Sequence, residues 1–96
     1  MPNDTAKLWK LLTDRRCLSL ISGPCVIESE QLCLRTGALL QKTCRKLGIH
    51  YIFKASYDKA NRSSGRSCRG PGLEAGLETL AKMRSKLGVP VLTDVH

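Results

Sequence analysis

The feature that most constrains the fold is an alternation of short apolar runs with amphipathic segments that end in glycine. Residues 18–22 form an apolar run that stops at Gly23-Pro24, which is typical of a buried strand followed by a tight turn. Residues 49–55 and 90–95 are rich in β-branched, aromatic or other apolar side chains. We therefore predict three strands.

Amphipathic segments separate these strands. Apolar residues recur near helical spacing from Ser29 to Leu47, where Ser29 is a plausible N-cap and Gly48 a stop. A second stripe ends at Gly88 and consists of Leu73, Leu77, Leu80, Met83 and Leu87. A short helix is also predicted over residues 5–12, with Asn3 or Asp4 as its N-cap and Leu8, Leu11 and Leu12 on one face.

The order strand, helix, strand, helix, strand predicts an α/β fold with parallel strands and right-handed crossovers. It allows either a doubly wound sheet or a (β/α)8 barrel. A barrel needs about 250 residues, so three strands are less than half of one. The third strand also has no helix after it, whereas parallel sheets are normally covered on both faces. We expect the 96 residues to be a truncated part of a larger fold.

Cysteine usage and hydropathy indicate an intracellular protein. The five cysteines are an odd number without C-x-x-C spacing, which argues against a disulfide framework and a zinc ribbon. Cys33 and Cys44 are expected to be small buried side chains. No apolar stretch approaches the roughly 20 residues of a membrane span, and no apolar segment follows Lys7 and Lys10 as in a signal peptide. The default expectation is a cytoplasmic location.

The net charge of +8 and a pI near 9.6 raise the hypothesis of a polyanion-binding module. The basic residues form separate clusters, however, and one Phe, one Trp and two Tyr offer little surface for base stacking. Nucleic-acid binding is therefore disfavoured, and a freestanding basic module stays the alternative to an enzyme.

Polar and charged residues follow each predicted strand, in residues 23–29, 54–64 and 94–96. In βα repeats the loops after the strands share one mouth, where catalytic groups collect. The second loop combines cations with hydroxyl and amide groups, a mixture that suits phosphate and carboxylate ligands. Its members are Lys54, Ser56, Lys59, Asn61, Arg62, Ser63 and Ser64. The alternative for this loop is a solvated basic segment without a ligand.

Residues 53–64, which read FKASYDKANRSS, closely resemble the signature of the 3-deoxy-8-phosphooctulonate synthases. Residues 23–29 (GPCVIES), 69–74 (RGPGLE) and 93–96 (TDVH) match the same family in order and spacing. The related 3-deoxy-heptulosonate-phosphate synthases are the alternative. They typically have a Lys-Pro-Arg-Thr type sequence where residues 59–63 of this chain read KANRS, and this difference favours the octulosonate enzyme. The chain departs from the family pattern at residues 65–69, which read GRSCR instead of Ile-His-Ser before an aromatic residue and Arg.

The resemblance implies a (β/α)8 barrel over residues 18–96, truncated here, after an N-terminal extension of residues 1–17. It also implies condensation of phosphoenolpyruvate with arabinose 5-phosphate to 3-deoxy-octulosonate 8-phosphate and phosphate, in lipopolysaccharide Kdo biosynthesis. We expect a homo-oligomer, a tetramer by family resemblance, and no activity in the 96 residues alone.

The resemblance also assigns roles to residues. Lys54 and Lys59 resemble the residues that hold phosphoenolpyruvate, so we predict them to be catalytic. The residues predicted to bind substrate are Ser56, Asn61, Arg62, Ser63, Asp94 and His96, with Arg62 and Ser63 on the sugar phosphate, Asp94 on a sugar hydroxyl, and His96 facing the sugar or the residues around it.

Cys25 is the position at which metal-dependent members of this family have Cys and metal-independent members have Asn. The resemblance therefore implies that Cys25 is a ligand of a divalent metal. A thiolate suits zinc, iron(II) or manganese in a mixed site with His and carboxylate ligands. The remaining ligands are expected beyond residue 96. The alternative is that Cys25 is a small packing residue.

Overall fold

The computed structural model describes residues 2–58 and 70–94, with side chains from Thr5 onward. Five of the predicted site residues lie outside this part of the chain: Lys59, Asn61, Arg62, Ser63 and His96. The described elements, in chain order, are α1 (Pro2–Leu12), β1 (Ser19–Ser22), α2 (Glu30–Leu47), β2 (His50–Lys54), α3 (Leu73–Leu87) and β3 (Val91–Leu92). The predicted alternation of strands and helices is confirmed.

The three strands form a parallel sheet in the order β1-β2-β3, which confirms the predicted topology. Ser22 of β1 pairs with Phe53 of β2, and Lys54 of β2 pairs with Leu92 of β3. β3 is shorter than predicted and spans two residues instead of residues 90–95. Its ladder is short because β2, its partner in the sheet, ends at Lys54 opposite Leu92.

The helix ends follow the predicted capping chemistry, except in α1. The Ser29 hydroxyl accepts a hydrogen bond of 3.0 Å from the backbone N–H of Leu32 at the start of α2. Gly48 ends α2 in the left-handed conformation, at φ 67°, which costs an L side chain energy. The helix predicted over residues 5–12 is confirmed, but its predicted start is not, because α1 begins at Pro2, a residue favoured in the first helical turn. Asn3 and Asp4 therefore lie inside α1 and do not cap it.

The hydrophobic core lies between β2 and the helices α2 and α3. Phe53 and Met83 are fully buried there, and Cys33 and Cys44 are buried as predicted. Burial also raises the pKa of the Cys33 thiol, which keeps that thiol protonated and unreactive. The sheet is thus covered by two helices that also contact each other.

One expectation about burial was wrong. β1 was expected to be a buried strand, but Leu20 and Ile21 are 37% and 46% exposed. Leu73 and Leu77, at the start of the predicted stripe of α3, are 54% and 47% exposed. β1 is an edge strand of this sheet, and among the described residues no further strand or helix covers these side chains.

None of the helices between residues 2 and 94 that the structure describes combines the length and the apolar character of a membrane span.

Candidate functional site

The loop after β1 and the loop after β2 run side by side at the carboxyl ends of the strands. The backbone N–H of Ser56 donates to the carbonyl of Cys25 at 3.3 Å, and the N–H of Ile27 donates to the carbonyl of Ser56 at 3.0 Å. These bonds form a parallel bridge between Val26 and Ser56. The backbone therefore places Cys25 directly beside Ser56.

Gly23 lets the two loops come this close. A Cβ atom at this position would lie 2.1 Å from the carbonyl oxygen of Lys54, a distance at which the backbone has to move. A glycine is therefore required here by close approach of two backbones. The turn that begins at Gly23 is thus held against the last residue of β2.

Lys54 lies at the centre of this edge. It is the last residue of β2, it is half-buried, and it pairs with Leu92 of β3. Its ammonium group forms no ion pair with the residues that the structure describes. The N–H of Ala55 donates to the carbonyl of Leu92 at 3.3 Å, so the segment that leads to Asp94 continues past the end of β2. Lys54 therefore offers an anionic ligand a cation that has no ion-pair partner among the described residues.

Two hydroxyl groups at this edge are buried without a partner. Ser56 is fully buried, and neither its Oγ atom nor the Oγ1 atom of Thr93 has a hydrogen-bond partner in the described structure. Buried polar atoms are nearly always hydrogen-bonded, so both groups are available to a ligand or to water. Thr93 was not among the predicted site residues. Its position directly before Asp94, at the end of a predicted strand, was the signal that could have identified it.

Backbone contacts at Tyr57 join the described residues that precede and follow residues 59–69. The N–H of Gly72 donates to the carbonyl of Tyr57 at 3.1 Å, just before α3 begins. Gly70 has φ 108°, and a Cβ atom there would lie 2.4 Å from the same carbonyl oxygen. The described residues on either side of 59–69 therefore lie together at one place. That place adjoins Ser56 and the carboxyl end of β2.

The structure thus brings four predicted site residues to one edge of the sheet: Cys25, Lys54, Ser56 and Asp94. The Cys25 side chain is exposed and its thiol is reduced. In the part of the chain that the structure describes, no group of three potential metal ligands includes Cys25. Cys25 can therefore supply one thiolate to a metal, and further ligands have to come from elsewhere.

One cluster of potential metal ligands does occur among the described residues, at the opposite end of the sheet. It consists of Asp14, Cys17 and His50, whose ligand atoms lie within 4.8 Å of one another. A set of one carboxylate, one thiol and one imidazole is compatible with a divalent metal. The sequence did not reveal this cluster, because His50 is far from Asp14 and Cys17 along the chain and is brought to them by the pairing of β1 with β2.

Comparison with known proteins identifies the family. The sequence profile of the DAHP synthetase I family matches residues 12–96. The chain is 62% identical over 77 residues to the 2-dehydro-3-deoxyphosphooctonate aldolase of Dechloromonas aromatica, which covers 80% of this chain and 28% of the relative. It is 61% identical over 83 residues to the protein of that name from Delftia acidovorans, which covers 86% of this chain and 29% of the relative.

A third relative of the same name, from Thiobacillus denitrificans, is 63% identical over 79 residues, which covers 82% of this chain and 28% of the relative. The chain spans less than a third of the length of these curated relatives. The matched region includes all three strands and the edge that carries Cys25, Lys54, Ser56 and Asp94. This chain belongs to the DAHP synthetase I family.

Proposed function

We propose that the complete protein condenses phosphoenolpyruvate with arabinose 5-phosphate and one water molecule to give 3-deoxy-octulosonate 8-phosphate and inorganic phosphate. The observation that carries this proposal is the identity of 61–63% to relatives named 2-dehydro-3-deoxyphosphooctonate aldolase. The gathering of Lys54, Ser56 and Asp94 at one edge supports it, because that edge offers a cation and buried hydroxyl groups to anionic substrates.

The fold that we propose for the complete protein is a (β/α)8 barrel. The parallel sheet with α2 and α3 packed against it is the arrangement expected of successive βα units. The exposed apolar side chains of β1, α3 and β3, such as Ile21, Leu77 and Leu92, are surfaces that neighbouring βα units would cover. A homo-oligomer and a cytoplasmic location remain predictions of the family resemblance and of the composition.

In the proposed reaction, Lys54 and Lys59 hold phosphoenolpyruvate by offsetting the negative charge of its carboxylate and phosphate groups. Fixed cations at the reacting centre stabilise the charge that develops while bonds rearrange. The Ser56 hydroxyl donates a hydrogen bond to an oxygen of the same substrate. Because Ser56 is fully buried, that bond forms away from water, where it is stronger.

The sugar substrate is assigned to the basic loop and to the end of β3. We propose that Arg62 and Ser63 bind its phosphate, Arg62 through the two-pronged geometry of the guanidinium group. Asn61 contributes an amide to the same subsite, Asp94 accepts a hydrogen bond from a sugar hydroxyl, and His96 faces the sugar. The contacts of Tyr57 with Gly70 and Gly72 support this assignment, because the described residues on either side of 59–69 lie next to Ser56 and the proposed phosphoenolpyruvate subsite.

Cys25 is proposed to be one ligand of a divalent metal: zinc, iron(II) or manganese. When bound, such a metal polarises an oxygen of a substrate and so favours attack on a carbonyl carbon. The backbone bond from Ser56 to the Cys25 carbonyl fixes this cysteine next to the proposed phosphoenolpyruvate subsite. The residues present fit the role of a partial donor set, with one exposed cysteine that can supply a sulfur ligand.

The test is an assay of the complete protein for phosphate release with both substrates and with each alone. We expect release only when phosphoenolpyruvate and arabinose 5-phosphate are present together. Release with erythrose 4-phosphate instead would identify the heptulosonate-phosphate reaction and would refute our proposal. In parallel, Cys25→Asn is expected to lower the content of tightly bound metal, and unchanged metal content would remove Cys25 from the ligand set.

A further inference from the structure

The end of the sheet opposite the proposed active site carries a cluster of three potential metal ligands. Asp14 and Cys17 lie in the connection between α1 and β1, and His50 is the first residue of β2. One ligand atom of each lies within 4.8 Å of the other two, and all three residues are half-buried. The cluster lies next to a cavity of about 260 Å³, whose lining includes Leu11 of α1, Ser19 and His50.

Backbone contacts hold this cluster in place. The N–H of His50 donates to the carbonyl of Leu18 at 3.0 Å, which aligns the start of β2 with the residue after Cys17. The N–H of Cys17 approaches the carbonyl of Asp14 at 3.4 Å, so these two residues belong to one tight turn. The positions of the three ligands are therefore set by the main chain and do not depend on long flexible side chains.

His50 is the observation that points to a ligand. Its Nε2 atom is buried and has no hydrogen-bond partner among residues 2–58 and 70–94, and the same is true of the Oγ atom of the neighbouring Ser19. A buried imidazole nitrogen without a partner is costly, and neutral imidazole is the commonest metal ligand in proteins. Cys17, the nearest sulfur donor, is a free thiol.

Asp14 is held in a fixed orientation by Arg16. Its Oδ1 atom accepts hydrogen bonds from the backbone N–H of Arg16 at 2.9 Å and from the Arg16 Nε at 3.2 Å. Both contacts use Oδ1, so they leave Oδ2 for another partner. Arg16 thus orients the carboxylate in the way that outer partners orient metal ligands.

We propose that Asp14, Cys17 and His50 bind a divalent transition metal of the zinc class. One thiolate, one imidazole and one carboxylate are three ligands of the kinds that zinc binds, and water can take the fourth position. Ligands at about 2.0 to 2.3 Å from zinc lie less than about 4.6 Å from one another, so small side-chain movements close the cluster around the ion. The bound metal links the connection between α1 and β1 to the start of β2.

The experiment measures metal stoichiometry in the full chain with Cys25→Ser as the background, because this change removes the other proposed metal-binding thiol. After incubation with zinc and dialysis, the background protein is expected to retain one equivalent. Adding Cys17→Ser or His50→Gln is expected to abolish that equivalent. With cobalt(II), the background protein should show a thiolate-to-metal charge-transfer band that is absent after Cys17→Ser. Retention of the zinc and of this band in the Cys17→Ser protein would overturn the proposal.

A second measurement uses the protein without substitutions, so it does not depend on whether a variant folds. The unmodified full chain is treated with a maleimide, with and without zinc, and the labelling rate of each cysteine is read by peptide mass spectrometry. Zinc is expected to slow the labelling of Cys17 at least about tenfold, because a coordinated thiolate is a poor nucleophile. Equal rates with and without zinc would overturn the proposal.

Discussion

The backbone of Gly23 lies so close to the carbonyl of Lys54 that a Cβ atom at residue 23 would be 2.1 Å from that oxygen. This contact joins the turn after β1 to the last residue of β2, and it sets the width of the edge at which the candidate site lies. The same Cβ atom would lie 3.2 Å from the Cε2 atom of Phe53, a residue of the hydrophobic core. The geometry of the site and the packing of the core therefore depend on the same glycine.

Gly23→Ala is predicted to destabilise the protein by about 1–3 kcal/mol, because the added methyl group has to displace the backbone of β2. Gly37→Ala in α2 is the matched control. There the new methyl group meets the ends of flexible side chains, the Cδ1 of Leu87 at 2.6 Å and the Cε of Met83 at 2.8 Å. Alanine also gains about 1 kcal/mol of helix propensity over glycine. Urea unfolding curves measure both changes, and a greater loss at residue 37 would contradict this account.

Tyr51→Phe is predicted to destabilise the protein by about 0.5–1.5 kcal/mol at neutral pH, because it removes the hydrogen bond of 2.8 Å from the Tyr51 hydroxyl to the Ser22 carbonyl. Burial raises the pKa of Tyr51 from 10.0 to about 12. The neutral form is thus favoured on folding, so its contribution is complete below pH 10 and is lost as the pH rises towards 12. Unfolding measured across this range should show a steeper loss of stability in the unmodified protein than in Tyr51→Phe. Parallel curves would refute the assignment.

Glu30 connects α2 to α3 through Lys82 at 3.3 Å and Lys86 at 3.2 Å. Hydrogen bonds from Lys86 and Lys82 lower the pKa of the Glu30 carboxyl group below 4.5. The stabilisation is therefore present above pH 4.5 and is lost as the pH falls through the lowered pKa. Glu30→Gln should remove this pH-dependent stabilisation. Glu74 is an exposed glutamate at the start of α3, so Glu74→Gln should leave the stabilisation intact. Thermal unfolding from about pH 6 to about pH 3 distinguishes the two variants.

Short-range sequence patterns, such as helix caps and the order of apolar and amphipathic segments, made much of this fold predictable. Ser29 and Gly48 act within one turn of α2, and the alternation of elements restricted the sheet to parallel pairing before any contact was known. Burial was less predictable, because it depends on what covers a side chain. Ile21 belongs to an apolar run but lies on an edge strand, so it is exposed in the described structure.

The residues of the two candidate sites also differ in how far the sequence predicted their positions. Lys54 and Ser56 were predictable because they follow one strand within a recognisable run of residues. Asp14, Cys17 and His50 were not, because His50 is brought to the other two by the register of β1 and β2 and by the turn that Arg16 helps to hold. Thr93 was predictable in part, since the sequence showed its position at the end of a strand but not the burial of its hydroxyl group.

We propose that the carboxyl ends of these strands bind phosphoenolpyruvate in the complete protein, with Lys54 as an anion-binding cation. Calorimetry on the complete protein tests it through the Kd for phosphoenolpyruvate in Lys54→Ala and in Lys46→Ala, an exposed lysine in the last turn of α2. Loss of a hydrogen bond to a charged group is worth about 1.5–3 kcal/mol, so Lys54→Ala should raise the Kd at least about tenfold. Lys46→Ala should leave it within about twofold, because screened surface charges contribute little. An equal Kd in both variants would contradict the claim.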